Sequence, residues 1–428
     1  MERPAIRRRP LPAEWLLQPG KQRVHVLFLH TAREWSGTAR LFARAGRGIS
    51  ERGAKVTLLV APDSNVHLAV SPRRDPGQAR HTPIPEPFEI IPFATDGLFF
   101  SAARRLKRIF RRWDADAIFV TTDHEHLIAA TACWMSSNGS VVRWTPAGKK
   151  LEMGFSGRLA NRLAKTSYLF ASEKDRRIAI IPKNAIESSV AEIGVDVSTY
   201  PASDGRAEAE SASDQKSASD QRPVNDQRPV NEQKPAGDQK PAESLKYIVC
   251  VYDPTSRGRA ATAIRTMSML SPRHPNLRLM IVGPGSDDED LRMQAAALRV
   301  LHLVSFLGER DDVVSLMQDA HLGWVVAEAD TGVYGILDLM ALGIPTVASE
   351  DGVAQRYIAN GISGTLYPPD DSASTAAAVA GMLNREDARE TMGKAARTRV
   401  AREFPETQMI EGFDRAANNA RTKGRSQG

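Results

Sequence analysis

Short apolar runs and amphipathic stretches alternate along most of the chain. From residue 22 the β-rich run RVHVLFLH reads as a strand. A loop, TAREWSGTAR, follows. ARLFARAGRGISERGA is then amphipathic at helical spacing with a glycine near its end, and KVTLLVAP is a second strand. The order recurs through FEIIPF, a helix around 101–113, DAIFVTT, the helix HEHLIAATACWMSS and the strand SVVRWTP. GRLANRLAKTSYLFASEKDRRIAII adds a helix, a strand and a helix. Strands alternating with helices predict parallel βαβ units. Residues 22–200 are expected to form one doubly wound domain behind a flexible tail, 1–21.

Residues 201–245 break the pattern. From Ser211 the sequence repeats every six residues, SASDQK SASDQR PVNDQR PVNEQK PAGDQK, each unit carrying an acid, a glutamine and a base. A β-helical coil needs an apolar position to bury in every turn, and these units lack one. So little apolar surface cannot offset the entropy of ordering, which predicts a disordered, charge-balanced linker. The alternation resumes at KYIVCVYD and continues through LRLMIVGPG, HLVSFLG, LGWVVAEA and IPTVAS, with helical stretches between. Residues 246–400 are thus a second α/β domain, and 401–428 a C-terminal helix and tail expected to cross back to the first. Ligands of open α/β sheets bind outside the carboxyl ends of the strands, so two such domains facing each other make a cleft.

The composition narrows the class. With 428 residues, 42% hydrophobic and 25% charged, the chain has room for two or three cores. Cys133 and Cys250 form no disulfide framework, which suits a reducing compartment, and no CxxC or His-rich cluster suggests a metal. The N-terminus lacks the apolar core of a signal peptide, and no run of about 18 apolar residues occurs, so a cytoplasmic protein is expected. The net charge of +6 is modest, and no zinc-finger spacing or RNA-recognition aromatic motif points to nucleic acid.

Chemistry concentrates in DTGVYGILDLMALGIPTVAS, residues 330–349. Asp330 ends a strand, residues 331–334 read as a loop, and a helix over 335–343 carries Asp338 in an otherwise apolar run. A glycine-broken loop before a helix aims free backbone N–H groups at the cleft, a setting that favours phosphate. Asp338 then offers a carboxylate to a ribose diol. The plainer reading makes Asp330 a helix cap and Asp338 a partnered structural carboxylate. The residues alone leave both open.

These residues resemble, register for register, the motif EGFGxxxLEAMAxGxPVVAS of the "glycosyl transferases group 1" set, the family-four retaining glycosyltransferases of GT-B fold, with Asp at both Glu places. LRLMIVGPG, VSFLGERDDVVSLMQDA and GVAQRYIANGISGTLYPPDD resemble the segments around that motif. RVHVLFLHTAREWSGTARLFARAGRGISERGAKVTLLV and AEIGVDVSTY resemble the opening and closing segments of the family's first domain. The resemblance implies two Rossmann-like domains facing across a cleft and transfer of a sugar, with retention, from a nucleotide-sugar to a saccharide or lipid-linked acceptor. It implies that Asp338 binds the ribose and that Asp330, with the amides of Gly332, Val333 and Tyr334, faces sugar and diphosphate. Glu328 is the substitute for Asp330 should the register differ. Gly283 lies in the donor-side glycine turn. Of the family's phosphate-holding Arg and Lys, Tyr252 stands at the first place and Arg257 at the second. Ser36 and Gly37 lie where the family's glycine loop approaches acceptor and phosphates, His124 where a cleft histidine is common, and Gly308–Arg310 where the base is selected. Lys149 and Lys150 read first as a solvated pair. No metal or other cofactor is implied, since front-face displacement asks the enzyme mainly to position substrates and stabilise the departing diphosphate. Two rival readings stay open: a non-catalytic binding or scaffolding partner on the same fold, and a nucleotide-sugar epimerase.

The helix DGLFFSAARRLKRIFRRW is basic and amphipathic. The preferred reading packs its apolar stripe on the first domain and leaves its Arg face in water. The other lays it on an anionic membrane, at the inner face of which the protein would then be peripheral.

Deleting residues 211–240 is expected to leave both domains folded. Circular dichroism and a thermal melt check this, and a cooperative loss of structure would contradict the linker reading.

Overall fold

The computed structural model describes residues 24–70, 88–95, 99–201, 245–310, 312–369 and 371–425. The expected tail over 1–21 and the hexad segment lie outside them. Along the first unit run β1 (His25–His30), α1 (Gly37–Glu51), β2 (Lys55–Val60), α2 (Asn65–Val70), β3 (Glu89–Pro92), α3 (Phe99–Trp113), β4 (Ala117–Val120), α4 (Asp123–Ser136), β5 (Ser140–Thr145), α5 (Phe155–Leu163), β6 (Thr166–Phe170), α6 (Glu173–Ile178) and β7 (Ser188–Val190). The second unit has β8 (Lys246–Val251), α7 (Arg257–Leu270), β9 (Leu277–Val282), α8 (Glu289–Ala297), β10 (Val304–Phe306), α9 (Val313–Gln318), β11 (Leu322–Val325), α10 (Ala329–Leu342), β12 (Thr346–Ser349), α11 (Ala354–Tyr357) and β13 (Thr365–Tyr367). It is followed by α12 (Ser372–Leu383), α13 (Glu386–Glu403) and α14 (Glu406–Arg425).

The strands form two sheets with orders β3-β2-β1-β4-β5-β6-β7 and β10-β9-β8-β11-β12-β13. Neighbours are parallel, with β1 meeting β4 through Phe28 opposite Phe119 and β8 meeting β11 through Cys250 opposite Trp324. Each sheet is doubly wound, and its order reverses beside β1 or β8, where open α/β sheets bind ligands. β1, β4, β5 and β6 are buried along their whole lengths, as central parallel strands covered by helices on both faces must be.

The last helix belongs to the first unit. The chain crosses at Phe404–Pro405, where Val195 N–H donates to Phe404 O at 3.1 Å and Glu406 N–H to Val195 O at 3.2 Å. α14 then lies against β5 and β6. Its Phe413 ring packs among Phe28, Phe119 and Trp144, with centroids at 6.3, 5.3 and 5.3 Å. A Cβ on Gly48 of α1 would overlap Ile410, so glycine there allows the two helices to cross closely. α3 follows the preferred sequence reading. Ala102, Ala103, Leu106 and Phe110 are buried, while Arg104, Arg108, Arg111 and Arg112 are exposed.

His25 at the base of β1 shows what burial does to a titratable group. Its ring stacks on Trp113 at 5.4 Å and lies 3.0 Å from both Trp113 O and Thr57 Oγ1. Burial, against the pull of the Trp113 carbonyl, lowers its pKa to about 4. His126, beside Thr166 and Arg143, is lowered to about 3, by burial first and the Arg143 charge second. The unfolded chain takes these protons near the ordinary histidine pKa of roughly 6.5, and the folded chain only well below it. Stability is therefore fully present above about 6.5 and falls as pH drops toward 4. The denaturant midpoint is expected to be lower at pH 5 than at pH 7, and equal midpoints would contradict the neutral, buried state of both rings.

Candidate functional site

The site lies where the carboxyl ends of the two sheets meet. β11 runs out at Val325 and the chain turns into α10 through Glu328, which holds the N-cap position, and Ala329, whose φ of +47° is rare for a side-chain-bearing residue. Glu328 N–H donates to Asp253 Oδ2 at 2.8 Å, which ties this turn to the loop after β8.

Here the sequence expectation needs correcting. Residues 331–334 are not a loop, because α10 is continuous from Ala329. Gly332 N–H already donates to Glu328 O at 2.9 Å, so the amides of Gly332, Val333 and Tyr334 fall within the helical ladder instead of pointing at a phosphate. Val333 and Tyr334 are core residues. Gly332 is glycine because a Cβ would overlap Ala327 O.

Both carboxylates of the motif are buried and engaged by the first unit. Asp330 accepts from Thr38 Oγ1 at 2.8 Å, Trp144 Nε1 at 2.9 Å and Ala147 N at 3.0 Å. Burial pushes its pKa up and these three donors hold it back. Asp338 is gripped by Arg40 in a two-pronged pair, Nη1 to Oδ2 at 2.6 Å and Nη2 to Oδ1 at 2.8 Å, and the Tyr200 hydroxyl adds a third bond at 2.5 Å. Arg40 also lies 4.2 Å over the Tyr334 ring. Burial, the largest single influence, would make Arg40 easier to deprotonate, but the charge and hydrogen bond of Asp338 together with Tyr200 and Tyr334 outweigh it and keep the guanidinium charged. Removing one partner of such a buried pair costs roughly 3–5 kcal/mol, because the other is left uncompensated.

The two units touch closely around these pairs. Gly37 N–H donates to Thr331 Oγ1 at 3.2 Å, Trp35 N–H to Glu309 Oε1 at 2.9 Å, and a Cβ on Gly37 would overlap the backbone of Asp330 and Thr331. Ser36 serves as N-cap of α1, accepting from Ala39 N at 3.3 Å. The expected acceptor and phosphate loop therefore faces protein backbone.

Other expected residues lie elsewhere. Arg257 is exposed and paired with Asp288 (3.0 Å) and Asp290, because the first turn of α7 carries it toward the loop after β9. Tyr252 is a core residue, and Gly283 packs so closely on it that a Cβ would overlap Tyr252 O. His124 is exposed in the first turn of α4 and does not line the interdomain pocket. That pocket, about 120 Å³, sits between the Gly148–Lys149 turn of the first unit and the ends of β11 and β12. Arg259, Glu328, Ser349 and Asp351 line its far side. Arg259 Nη2 lies 3.1 Å from Glu328 Oε1 and 2.6 Å from Asp351 Oδ2. Of the expected site residues, Glu328 faces this pocket. Arg259 was legible only through helical phase: two residues past Arg257 it points to the other side of α7. Thr38, Arg40, Trp144 and Tyr200 left no signal, because the first unit has to be folded against the second before they meet the carboxylates.

Among the described residues no group of three or more His, Cys, Asp or Glu side chains is placed to hold a metal ion. A nucleotide-sized ligand needs a cleft of roughly 300 Å³ or more. At about 120 Å³ the pocket admits only a fragment of one in this closed arrangement.

The arrangement of two doubly wound units whose carboxyl edges meet is that of the GT-B glycosyltransferases, and solved structures of that fold superpose on nearly the whole chain. A glycosyltransferase from Rickettsia africae covers 94% of this chain and 99% of its own with a TM-score of 0.67 at 13% identity. HepE from Anabaena, in complex with UDP and glucose, covers 92% and 100% with a TM-score of 0.67 at 15% identity. Residues 235–399 match the family model described as glycosyl transferases group 1. A phosphatidyl-myo-inositol mannosyltransferase of Mycolicibacterium smegmatis is 35% identical over 155 residues, 35% of this chain and 39% of that protein. A glycogen synthase of Mycobacterium tuberculosis is 31% identical over 144 residues, 33% and 35% respectively. These matches span under two fifths of each relative's length.

Proposed function

We propose that the protein is a retaining glycosyltransferase that moves a hexosyl group from a nucleotide-sugar to a saccharide or lipid-linked acceptor. One observation carries this reading: the two carboxylates of the family motif are both kept, in register, on the helix that follows the switch-point strand β11 and faces the other unit. In this reading Asp338 takes the ribose diol and Asp330, with Glu328 beside it, faces the sugar. Arg259 and Lys149, at the pocket, offset the charge of the departing diphosphate with no metal required. Catalysis then rests on holding acceptor hydroxyl and anomeric carbon together, with the hydroxyl proton passing to the leaving diphosphate.

A second reading, a non-catalytic binding or scaffolding partner, has its own observation. Tyr252 lies in the core where the family has an arginine, and Arg257 is spent on Asp288 and Asp290. A thermal-shift screen against UDP-, GDP-, ADP- and dTDP-sugars, followed by a turnover assay with the one that binds, separates the two, since a ligand that binds only the folded state raises the midpoint and only a transferase consumes it. The transferase reading expects a rise with one nucleotide, reduced in Asp338→Asn when each variant is compared with its own unliganded midpoint. No rise with any of the four, in the parent and in Arg40→Met alike, sinks it in favour of the second.

The cellular setting in this reading is cytoplasmic, and the packed α3 leaves an outer face that a peripheral contact with an anionic membrane would use. Among the described residues no helix is long and apolar enough to cross one. The membrane contact is supported by Phe100, 64% exposed at the start of α3 beside the exposed Arg104 and Arg108, and by Trp134, 63% exposed on the neighbouring α4. Sedimentation with anionic liposomes is expected at low salt and lost at high salt. No sedimentation at low salt removes the membrane from the proposal.

A further inference from the structure

The same carboxylate that the transferase reading gives to the nucleotide is held by Arg40 of the first unit. We infer that the Arg40–Asp338–Tyr200 cluster is an autoinhibitory latch: it holds the two units closed over the donor site, and nucleotide enters only when Arg40 lets go of Asp338. This rests on the proposed function for its ligand and on geometry alone for its mechanics.

The first argument is competition. Asp338 has two oxygens, and Arg40 and Tyr200 take both of them, with Oδ1 shared between two donors. Tyr200 also accepts from Arg40 Nη2 at 3.0 Å, so the three side chains form a closed ring of bonds. Three donors occupy three of the roughly four lone-pair sites of the carboxylate, so a ribose diol, which brings two hydroxyl donors, must displace at least one of them. Asp330 is treated alike, its three donors all coming from the first unit.

The second argument is independent of the motif. The carboxyl edge of the first sheet carries polar groups that the closed state leaves without hydrogen bonds. His30, the last residue of β1, is 5% exposed and neither ring nitrogen has a partner. The hydroxyls of Thr121, just past β4, and Thr145, at the end of β5, are buried and unpartnered as well. His30 and Thr121 lie at the ends of β1 and β4, which flank the switch point of the sheet, Thr145 ends the next strand, β5, and Trp144 and Ala147 reach Asp330 from the same edge. Native interiors satisfy nearly all buried polar groups, and these three, next to the donors that reach Asp330, fit a surface that is also used open, while other unpartnered buried atoms, such as those of Ser140, Ser167 and Thr266, lie away from it.

The third is mechanical. The described chain passes between the units at Phe404–Pro405, held to the first unit through the paired strand-like contact of Val195. Beside that crossing, where Arg44 of α1 pairs with Glu406 at 2.7 Å and Arg397 of α13 bonds the Tyr200 carbonyl at 3.2 Å, the units meet through polar contacts that can part without unfolding either sheet: Arg40 on Asp338, and the backbone N–H groups of Trp35, Gly37 and Ala147 on the side chains of Glu309, Thr331 and Asp330.

Two variants test the latch in the full chain. Arg40→Met removes the grip on Asp338. Gly37→Ala keeps every latch residue but drives a Cβ into the Asp330–Thr331 backbone, and alanine suits the first turn of α1. Hydrogen exchange is read at the amides of Trp35 and Ala147, which donate across the interface, with the interior of β4 and β5 as the control for global unfolding. The latch predicts at least about tenfold faster exchange at both reporters in both variants with the control unchanged, and about tenfold or more tighter binding of UDP, GDP, ADP or dTDP than in the parent. Unchanged exchange at Trp35 and Ala147 in both folded variants overturns it, as does faster exchange with nucleotide bound no more tightly than by the parent. Faster exchange with no nucleotide bound by parent or variant confirms the mechanical latch and overturns the transferase reading instead.

Discussion

Trp144 has its ring in the core and its one N–H donor in the interface, and the architecture depends on that double placement. The ring stacks on Phe413 at 5.3 Å, inside the cluster that joins α14 to the first sheet. Its Nε1–H reaches Asp330 of the other unit at 2.9 Å. A rigid, buried ring spends little entropy on holding that donor in place. The position of the second unit is thereby referred to the centre of the first, and Thr38, Gly37 and Arg40 follow on the adjacent helix. The aromatic core and the polar seam are one construction, with the apolar side supplying rigidity and the polar side direction.

The charged and polar groups of the seam sit beside an apolar cluster that continues from one unit into the other, in a setting that excludes water. Those polar groups are strong when matched and costly when separated, which makes closure a two-state matter and not a gradual one. The shorter carboxylates fit this use. An aspartate at 338 brings its oxygens close to the α10 backbone, and Arg40 and Tyr200 come in from the far side to meet them.

Much of the fold was legible in the sequence because the signals were local. The buried strands of both sheets announced themselves as apolar runs, and the basic helix α3 showed its buried stripe in its spacing. The start of α10 was misread because Gly332 resembled a loop residue. Its absence of side chain serves helix packing against Ala327 O, a requirement that involves residues already turned back in space. Arg257 and Arg259 are two apart, and only the phase of α7 decides which one faces the pocket. Asp338 was seen as important, yet its partner Arg40 lies 298 positions away, and no local pattern reports a contact of that separation.

The crossing at Phe404–Pro405 bears on how the chain comes into being. Phe413 fills a space bounded by Phe28, Phe42, Phe119 and Trp144, so the first sheet has an open apolar face until residues 406–425 exist. Domains generally fold in order of synthesis. Here the order is inverted: the second sheet, complete by Tyr367, has all its strands on hand before the first can close its core. During translation the earlier half must wait, exposed, for a segment made after the later half. The unit first to be synthesised is therefore the last to be finished, and the one most in need of protection on the ribosome.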